Sequence, residues 1–314
     1  MTGRILRRVS ILLIVLFGVT ILAFVFSSLS PTDAAHALAV RRYTRPSPEQ
    51  IESVRHELGM DKPIVQQYAR WVWNALHGDF GNSYNTGQPI IKELLSCAKP
   101  TFLLTSLALL FSAVITVPLG VLSASRKGGL SDKTIYLFGI IGMSLPNYWA
   151  GFLLLMTFAV NIPIFSVVSA GTLKDFILPA LALALPTAAG SIRVFRSSLL
   201  GGYSCDFVSY ARARGVPERR IARLVARHAL PPIVTMFAQN FGFTIAGSAM
   251  VESVFSIPGL GSMLVTALNA RDIITVNACV LFVAAIFVIV NFIADLMNAA
   301  LNPRMGGREA ENAS

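Results

Sequence analysis

The sequence predicts an all-α integral membrane protein with six transmembrane helices. Only 13% of its 314 residues are charged, whereas a soluble domain typically carries about 25%. The mean hydropathy of +0.64 agrees with this low charge. Six apolar stretches are each long enough to cross about 30 Å of hydrocarbon at about 1.5 Å per helical residue. In chain order, the predicted spans are 9–29, 101–125, 134–160, 176–200, 233–255 and 273–301.

The first predicted span follows a basic start formed by Arg4, Arg7 and Arg8. A secretory signal peptide begins in the same way, and the sequence AHA at 35–37 loosely resembles a cleavage site. However, the apolar run 9–29 is longer than the roughly 7–15 residues of a signal peptide's hydrophobic region. We therefore expect a retained helix rather than a cleaved leader.

Prolines interrupt the third and fourth predicted spans. Pro146 lies in 134–160, and Pro179 and Pro186 lie in 176–200. Such prolines are tolerated where neighbouring helices or waters bond the freed carbonyl groups. Two interpretations remain open: the prolines only kink the packing, or they serve as hinges of a moving pathway.

Residues 30–99 predict a small helical cap on the outer face, with a plain packed helix pair as the alternative. In SPEQIESVRHELGM, Ser47 is a candidate N-cap, Pro48 takes the first helical position, and Gly59 lies near the end. The stretch PIVQQYARWVWNAL places apolar residues on one helical face at Ile64, Tyr68, Trp71, Val72 and Ala75. Its two tryptophans suit a membrane interface or a partner surface.

The positive charge of the short loops predicts the orientation. With the N-terminus inside, the short outer loops contain only Lys174 and Arg271. Residues 30–99 hold eight basic and seven acidic residues, but long loops cross largely regardless of charge. Both termini are therefore expected in the cytoplasm. The inner basic residues would be Arg4, Arg7, Arg8, Arg126, Lys127, Lys133, Arg212, Arg214, Arg219, Arg220, Arg223, Arg227, Arg304 and Arg308.

Missing motifs argue against several chemistries. No Gly-Lys-Ser/Thr of a phosphate-binding loop occurs, so we expect no ATP hydrolysis by this chain alone. The stretch HELGM lacks the second histidine of a zinc protease, and the four histidines show no ligand spacing. The net charge of +10 lies beside apolar spans, which does not suit nucleic acid binding. Cys97, Cys205 and Cys279 are assigned to different layers, so no disulfide is expected.

A few polar side chains fall inside the predicted spans, where charge is costly and suggests function. Glu252 lies near the outer end of the fifth span. The sixth span carries a polar stripe on one helical face, formed by Asn291, Asp295, Asn298 and Asn302. These groups either form hydrogen bonds between helices or line a water-filled pathway. Arg193 and Arg196, at the end of the fourth span, are expected to extend toward the inner surface.

The most basic stretch is YARARGVPERRIARLVARHALPPI, residues 210–233, with six arginines and one acid, Glu218. On the predicted topology it is an inner loop between the fourth and fifth spans. Asp206 can cap an Ala-rich helix or complement its dipole. Gly215 and Pro217 break that helix, and ERRIARLVARHAL begins a second one. A helix–turn–helix can transmit rigid-body motion, whereas a merely basic loop explains the arginines but not the break.

This pattern resembles the EAA loop of permease subunits of bacterial ABC importers. Ala211, Ala213 and Gly215 match its Ala-rich helix and glycine, and Leu230 and Pro231 match its later Leu-Pro. Over nearly the whole chain, RHELGMDKPIVQQYARW, GDFGNSY, SLPNYW, ARARG, ESVFSIPGLG and DLMNAALNPR resemble landmarks of the peptide and nickel branch. The glutamate of the EAA pattern would fall at Ser209, and the stretch between Gly215 and Pro231 is a little shorter than in that branch.

The resemblance implies a type I ABC importer permease fold of the MetI-like kind. It implies an N-terminal helix with an outer segment at 1–99, a permease domain at 100–304 with a coupling loop at 205–232, and a cytoplasmic tail at 305–314. The loop residues implied in coupling to an ATPase are Asp206, Ala211, Arg212, Ala213, Arg214, Gly215, Glu218, Leu230 and Pro231.

The resemblance also implies the partners and the location. These are a homologous second permease subunit forming a heterodimer, two ATPase subunits that bind ATP and Mg, and an extracytoplasmic solute-binding protein, in the bacterial inner membrane. This chain itself would hold no cofactor. The implied substrates are dipeptides, oligopeptides, nickel chelates or opine metallophores, and RWVWNALHGDFG slightly favours the metal-carrying relatives. The alternatives are a self-contained secondary transporter or channel and a membrane enzyme.

Overall fold

The computed structural model describes the backbone of residues 2–28, 34–43, 45–167 and 171–301. Within these residues the chain is helical, with one isolated β-bridge between Asn82 and Pro89. A π-helical turn at Met156–Asn161 and a 3-10 turn at Leu173–Phe176 accompany the α-helices. The α-helices are α1 (Thr2–Ser28), α2 (Ala34–Arg42), α3 (Pro48–Glu57), α4 (Ile64–Leu76), α5 (Ile90–Ser125), α6 (Leu130–Ser144), α7 (Asn147–Leu155), α8 (Ile177–Tyr203), α9 (Asp206–Ala213), α10 (Glu218–Gly247), α11 (Ala249–Val254), α12 (Leu260–Asn269) and α13 (Ile273–Leu301).

Fewer helices than predicted have the length and composition of a membrane span. Among the described residues, three qualify: Ile90–Ser125, Leu173–Tyr203 and Ile273–Ala294. A fourth is possible if Leu130–Ser144 and Asn147–Asn161 form one broken span. The all-helical prediction is confirmed, and the count of six spans stays a prediction.

The third predicted span is not continuous, because α6 and the helix that follows it meet at an angle of 97°. Leu145 takes an extended conformation, with φ −82° and ψ 126°. The ring of the following Pro146 disfavours the helical conformation at the residue before it. The predicted interruption at Pro146 is thus present as a sharp bend, and the assignment of 134–160 as one span stays a prediction.

The fifth predicted span, 233–255, starts inside a helix that begins earlier in the chain. Helix α10 starts at Glu218, runs through Pro231 and Pro232, and ends at Gly247. The two prolines remove the backbone donors that would bond the carbonyls of Arg227 and His228, and both of these residues are exposed to solvent. Helix α10 is separated from α11 at Ser248, so the predicted span 233–255 is not one helix.

The prediction for the fourth span is close to the structure, with α8 at Ile177–Tyr203 and Pro186 inside it. Helix α8 packs closely against α5 and α10 at glycine residues. A Cβ on Gly120 of α5 would lie 2.6 Å from the Phe195 ring of α8, and a Cβ on Gly202 would lie 2.9 Å from Val225 of α10. Any side chain at these glycines would push the helices apart, because protein interiors are already close-packed.

The chain divides into two compact units. One contains the described residues up to Thr101 together with Pro258–Ile289, and the other contains Phe102–Ile257 and the described residues from Val290. Helices α5 and α13 each continue from one unit into the other. The predicted boundary between residues 99 and 100 falls within α5, and that division stays a prediction.

In the first unit, both helices predicted within residues 30–99 are present as α3 and α4, and α2 is a further helix that was not predicted. Ser47 accepts a hydrogen bond from the Gln50 backbone and completes a capping box with it, and Pro48 opens α3. Gly59 follows the end of α3 with φ +67°. Helix α4 has the predicted bounds and packs on α1, where the Tyr68 and Thr20 hydroxyl oxygens are 2.8 Å apart.

Asp272, which is fully buried, fastens the loop before α5 to the start of α13. The Ser83 hydroxyl donates to its carboxylate at 2.7 Å and the Asn85 N–H donates at 3.1 Å. The same carboxylate caps α13 by accepting from the Thr275 N–H at 3.2 Å and the Thr275 hydroxyl at 2.9 Å. Burial, and then the charge of Asp272, raise the pKa of nearby Tyr84.

All three cysteines are free thiols, as the sequence predicts. The assignment of the three cysteines to different layers stays a prediction.

Candidate coupling loop

The candidate coupling loop consists of α9, the turn 214–217 and the first turns of α10. Cys205 occupies the N-cap position of α9 without a side-chain capping bond. Asp206 therefore lies inside the first turn, where its charge complements the positive end of the helix dipole. Of the two predicted roles for Asp206, the geometry supports dipole partner rather than cap.

Gly215 ends α9 in the left-handed conformation, with φ +70°. Its N–H donates to the Arg212 carbonyl at 2.9 Å, and the Val216 N–H donates to the Ala211 carbonyl at 3.0 Å. These two bonds form a Schellman motif, which satisfies carbonyls that the helix end leaves unpaired. The predicted helix stop at Gly215 is confirmed.

One ion pair bridges the turn. Arg212 Nε lies 2.8 Å from Glu218 Oε1, and both side chains are exposed. The hydrogen bond to Arg212 lowers the pKa of Glu218 and raises the pKa of Arg212. Because exposed ion pairs are screened by water, this pair orients the turn more than it stabilises the fold.

An apolar cluster holds the loop against the ends of α8 and α10. Val208 of α9 is fully buried, as are Ile221 and Val225 of α10. The burial of each such side chain contributes about 1.5–3 kcal/mol. Helix α9 is thus seated on a rigid base rather than tethered by a loop. The other buried members of the cluster are Ala124, Phe195, Leu199, Ala229 and Ile233.

The opposite face of α9 is exposed and partly aromatic. Tyr210 is 73% exposed and Phe207 is 37% exposed. A shallow depression of about 410 Å³ is lined by Asp206, Phe207, Tyr210, Ala211, Arg214 and Val216. Exposed aromatic and arginine side chains around a depression are typical anchors of a protein interface.

The predicted coupling residues do not all lie together. The turn brings together Ala211–Gly215 and Glu218, and Asp206, at the start of α9, lines the same depression as Ala211 and Arg214. Leu230 and Pro231 lie in the interior of α10, about 18 Å along the helix from Glu218 at about 1.5 Å per residue. The structure places the Leu-Pro pair within α10, and the implied loop bounds of 205–232 stay a prediction.

A buried network that the sequence reasoning missed lies near the loop, on α6 and α8. Arg196 binds Asp132 through two hydrogen bonds, of 2.7 Å from Nε and 2.8 Å from Nη2. The Ser123 hydroxyl and the Gly128 N–H also donate to this carboxylate. Arg196 was expected to extend to the inner surface, and it instead turns toward this acid. The only signal was one aspartate within the basic loop 126–133.

The polar residues predicted inside the spans fall in different environments. Glu252 is fully buried, and the Ser248 hydroxyl donates to it at 2.8 Å. This position favours packing over an open pathway wall. Asn291 is half-buried on α13. The side chains of Asp295 and Asn298, and all of Asn302, lie outside the described residues.

A larger groove, of about 610 Å³, opens between α6, α8 and α10. Asn240 Nδ2 donates to the buried Ser191 hydroxyl at 3.2 Å within it. Arg193 is exposed there, with Nη1 3.7 Å from the Met143 sulfur. The groove thus has a mixed polar and apolar lining and an exposed guanidinium, that of Arg193.

Long apolar helices that carry an exposed helix–turn–helix define a membrane-embedded transport subunit. Residues 116–307 match the family of binding-protein-dependent transport system inner membrane components, and residues 1–103 match the N-terminal region of these membrane components. The chain belongs to this family and is the permease subunit of an ABC importer, which confirms the resemblance and places the protein in the inner membrane.

Individual relatives cover almost the whole chain. The dipeptide transport system permease protein DppB of Escherichia coli K12 is 32% identical, over 96% of this chain and 98% of its own. The glutathione transport system permease protein GsiC of the same strain is 33% identical, with the same coverage. The inward-facing structure of the MetNI methionine ABC transporter has a TM-score of 0.58 at 20% identity, covering 68% of this chain and 98% of that chain. That likeness supports the MetI-like fold.

Proposed function

We propose that this permease imports peptides or peptide-like solutes, driven by ATP that a separate ATPase subunit hydrolyses. The relatives at 32–33% identity are named for dipeptide and glutathione transport, and neither is named for nickel or metallophore transport. ATP and Mg would bind to the ATPase, and this chain would hold no cofactor. A homologous second permease and an extracytoplasmic binding protein complete the proposed assembly.

The observation that carries the coupling role is the rigid base of α9. Buried Val208 ties α9 to α8 and α10, while Tyr210 on the opposite face stays exposed. An ATPase that binds the exposed face of α9 would therefore move α8 and α10 together with α9. A loop without this apolar base would absorb the movement instead.

Cross-linking in the assembled transporter tests this role. Tyr210→Cys should form a cross-link with the ATPase subunit through a short bifunctional maleimide. Arg227→Cys is the matched control, because Arg227 is exposed on α10 but lies away from the turn. Equal cross-linking at both positions, or none at Tyr210→Cys, would argue against docking through α9.

The proposed topology has six spans and both termini in the cytoplasm, with α1 and α10 crossing the membrane as well. Cysteines at exposed Glu49 and Asp79 should react with an impermeant maleimide added outside intact cells. A cysteine at Arg214 should react only after permeabilisation. Reaction of the Arg214 position from outside would reverse the orientation.

The groove between α6, α8 and α10 is the proposed wall of the transport pathway. Its exposed guanidinium, Arg193, suits the carboxylate of a peptide, because paired opposite charges bind directionally. Arg193→Gln should raise the KM of peptide uptake more than it lowers the maximal rate. The control is Arg227→Gln, whose KM should stay unchanged; an unchanged KM in both variants would remove Arg193 from the pathway.

A further inference from the structure

Helix α4 has a wider apolar surface than its packing uses. Its polar side chains share one face, where Gln66 and Arg70 are exposed. The remaining surface is apolar and has two parts. One part contacts α1, and the other is an exposed stripe that consists of Val65, Ala69, Trp73 and Leu76.

The exposed stripe is large for a surface in contact with water. Val65 is 76% exposed, Trp73 is 65% exposed and Leu76 is 78% exposed. Scattered exposed apolar residues are ordinary, but a contiguous stripe on one helical face marks contact with a partner or a membrane.

The depth at which α4 meets α1 identifies the environment of this stripe. The Tyr68 ring packs against Phe17 and Phe24, at centroid distances of 6.5 and 5.4 Å. Phe17 and Phe24 follow Arg8, the last basic residue before the span, by 9 and 16 residues. At about 1.5 Å per residue, the contact lies roughly 14–24 Å beyond Arg8. The hydrocarbon core is about 30 Å thick, so the contact lies below its outer boundary.

The exposed surface of α1 is also apolar. Phe17, which touches Tyr68, is 58% exposed and Leu22 is 57% exposed, as expected of side chains that face lipid tails. The stripe on α4 is a second exposed apolar surface, and the polar face of α4 is centred on Gln67, Arg70 and Asn74. A long arginine side chain can extend from such a position to the headgroups.

We propose that α4 is inserted into the outer leaflet beside α1, with Val65, Ala69, Trp73 and Leu76 in contact with lipid acyl chains. The outer segment is then anchored to the membrane at two places along the chain, α1 and α4, rather than standing above it as a cap. The proposal rests on the topology proposed above, in which α1 spans the membrane.

Spin-label accessibility in the assembled transporter, reconstituted in phosphatidylglycerol–phosphatidylethanolamine nanodiscs, tests the proposal. Single labels replace Val65, Trp73 or Leu76 in a background without the three native cysteines. Each label is relaxed by oxygen, which concentrates in lipid, or by a nickel chelate, which stays in water. Leu22 of α1 is the lipid reference, and Asn74 is the matched control on the polar face of α4.

We expect labels at the stripe to behave like the Leu22 label, with relaxation by oxygen exceeding relaxation by the nickel chelate. The order should reverse for the Asn74 label. If Leu22 is in lipid but the stripe is relaxed mainly by the nickel chelate, the insertion is refuted and the topology stands. If neither agent reaches the stripe, a protein partner covers it and the insertion is also refuted. Relaxation of Leu22 by the nickel chelate would overturn both.

Discussion

The substitution Gly215→Val tests whether the turn between α9 and α10 must be rigid for transport. Gly215 has φ +70°, and a Cβ built there meets no atom within 4 Å. The cost of a side chain is therefore conformational and not steric crowding from neighbours. A β-branched residue held in this region costs on the order of 1–2 kcal/mol. That energy corresponds to a factor of about 5–30 between two populations.

The cost acts on the turn rather than on the whole fold. Relaxing φ at position 215 breaks the two bonds of the Schellman motif, to the carbonyls of Arg212 and Ala211. Val208 and Ile221 stay buried in their cluster, so α9 remains attached but is re-aimed. We expect normal membrane insertion, with peptide uptake and substrate-stimulated ATPase activity both falling several-fold.

The assay measures both activities in proteoliposomes that contain the complete transporter. Gly215→Asn is the matched control, since asparagine tolerates the left-handed conformation at similar size and should keep most of the activity. Wild-type uptake in Gly215→Val would refute the reasoning, because the turn geometry would then be irrelevant to coupling. Equal loss in both variants would show that a side chain, and not the backbone conformation, is what the docking surface rejects.

Three further substitutions test polar contacts that lie within one unit or the other. Asp132→Asn leaves Arg196 without its ionic partner. Breaking a buried ion pair costs roughly 3–5 kcal/mol of folding stability, and we expect the lower end because Arg196 is partly exposed. The Tm should therefore fall in Asp132→Asn and not in the control Glu218→Gln. The hydrogen bond from Arg212 lowers the pKa of Glu218 below the ordinary 4.5. The ion pair therefore stabilises the turn above pH 4.5, and this stabilisation is lost as the pH falls through the folded-state pKa. A spin label on the turn should become more mobile over that pH range, and in Glu218→Gln it should be mobile at every pH. Asp272→Ala removes the acceptor of four hydrogen bonds and should increase hydrogen exchange over 82–88, whereas unchanged exchange would mean that packing alone holds this loop.

The prolines show what a local sequence pattern can and cannot predict about a helix. Pro146, Pro186 and Pro231 all fall in apolar stretches, yet Pro146 accompanies a 97° bend while Pro186 and Pro231 lie inside continuous helices. The ring imposes the same local cost in each case. Whether the helix breaks depends on what bonds the freed carbonyls and what packs beside them, which the sequence does not state.

The ion pair between Asp132 and Arg196 was not predicted for the same reason: it depends on packing that the local sequence does not state. Asp132 and Arg196 are 64 residues apart, and nothing in the sequence near Arg196 distinguishes it from Arg193. The expectation that both extend to the inner surface follows from a rule about single helices. Only the packing of α6 against α8 brings the carboxylate within reach of one arginine and leaves the other in the groove.

The sequence by itself determined the membrane class, the helical outer segment, the cap at Ser47 and the helix stop at Gly215. Each of these depends on composition or on residues within one or two turns, where the physics is local. The tertiary structure alone decided that α10 runs unbroken from the turn through Pro231, that Asp272 binds Ser83 from far along the chain, and that α4 packs against α1 through Tyr68 and Thr20. These features depend on which surfaces meet after folding, and no local pattern encodes that choice.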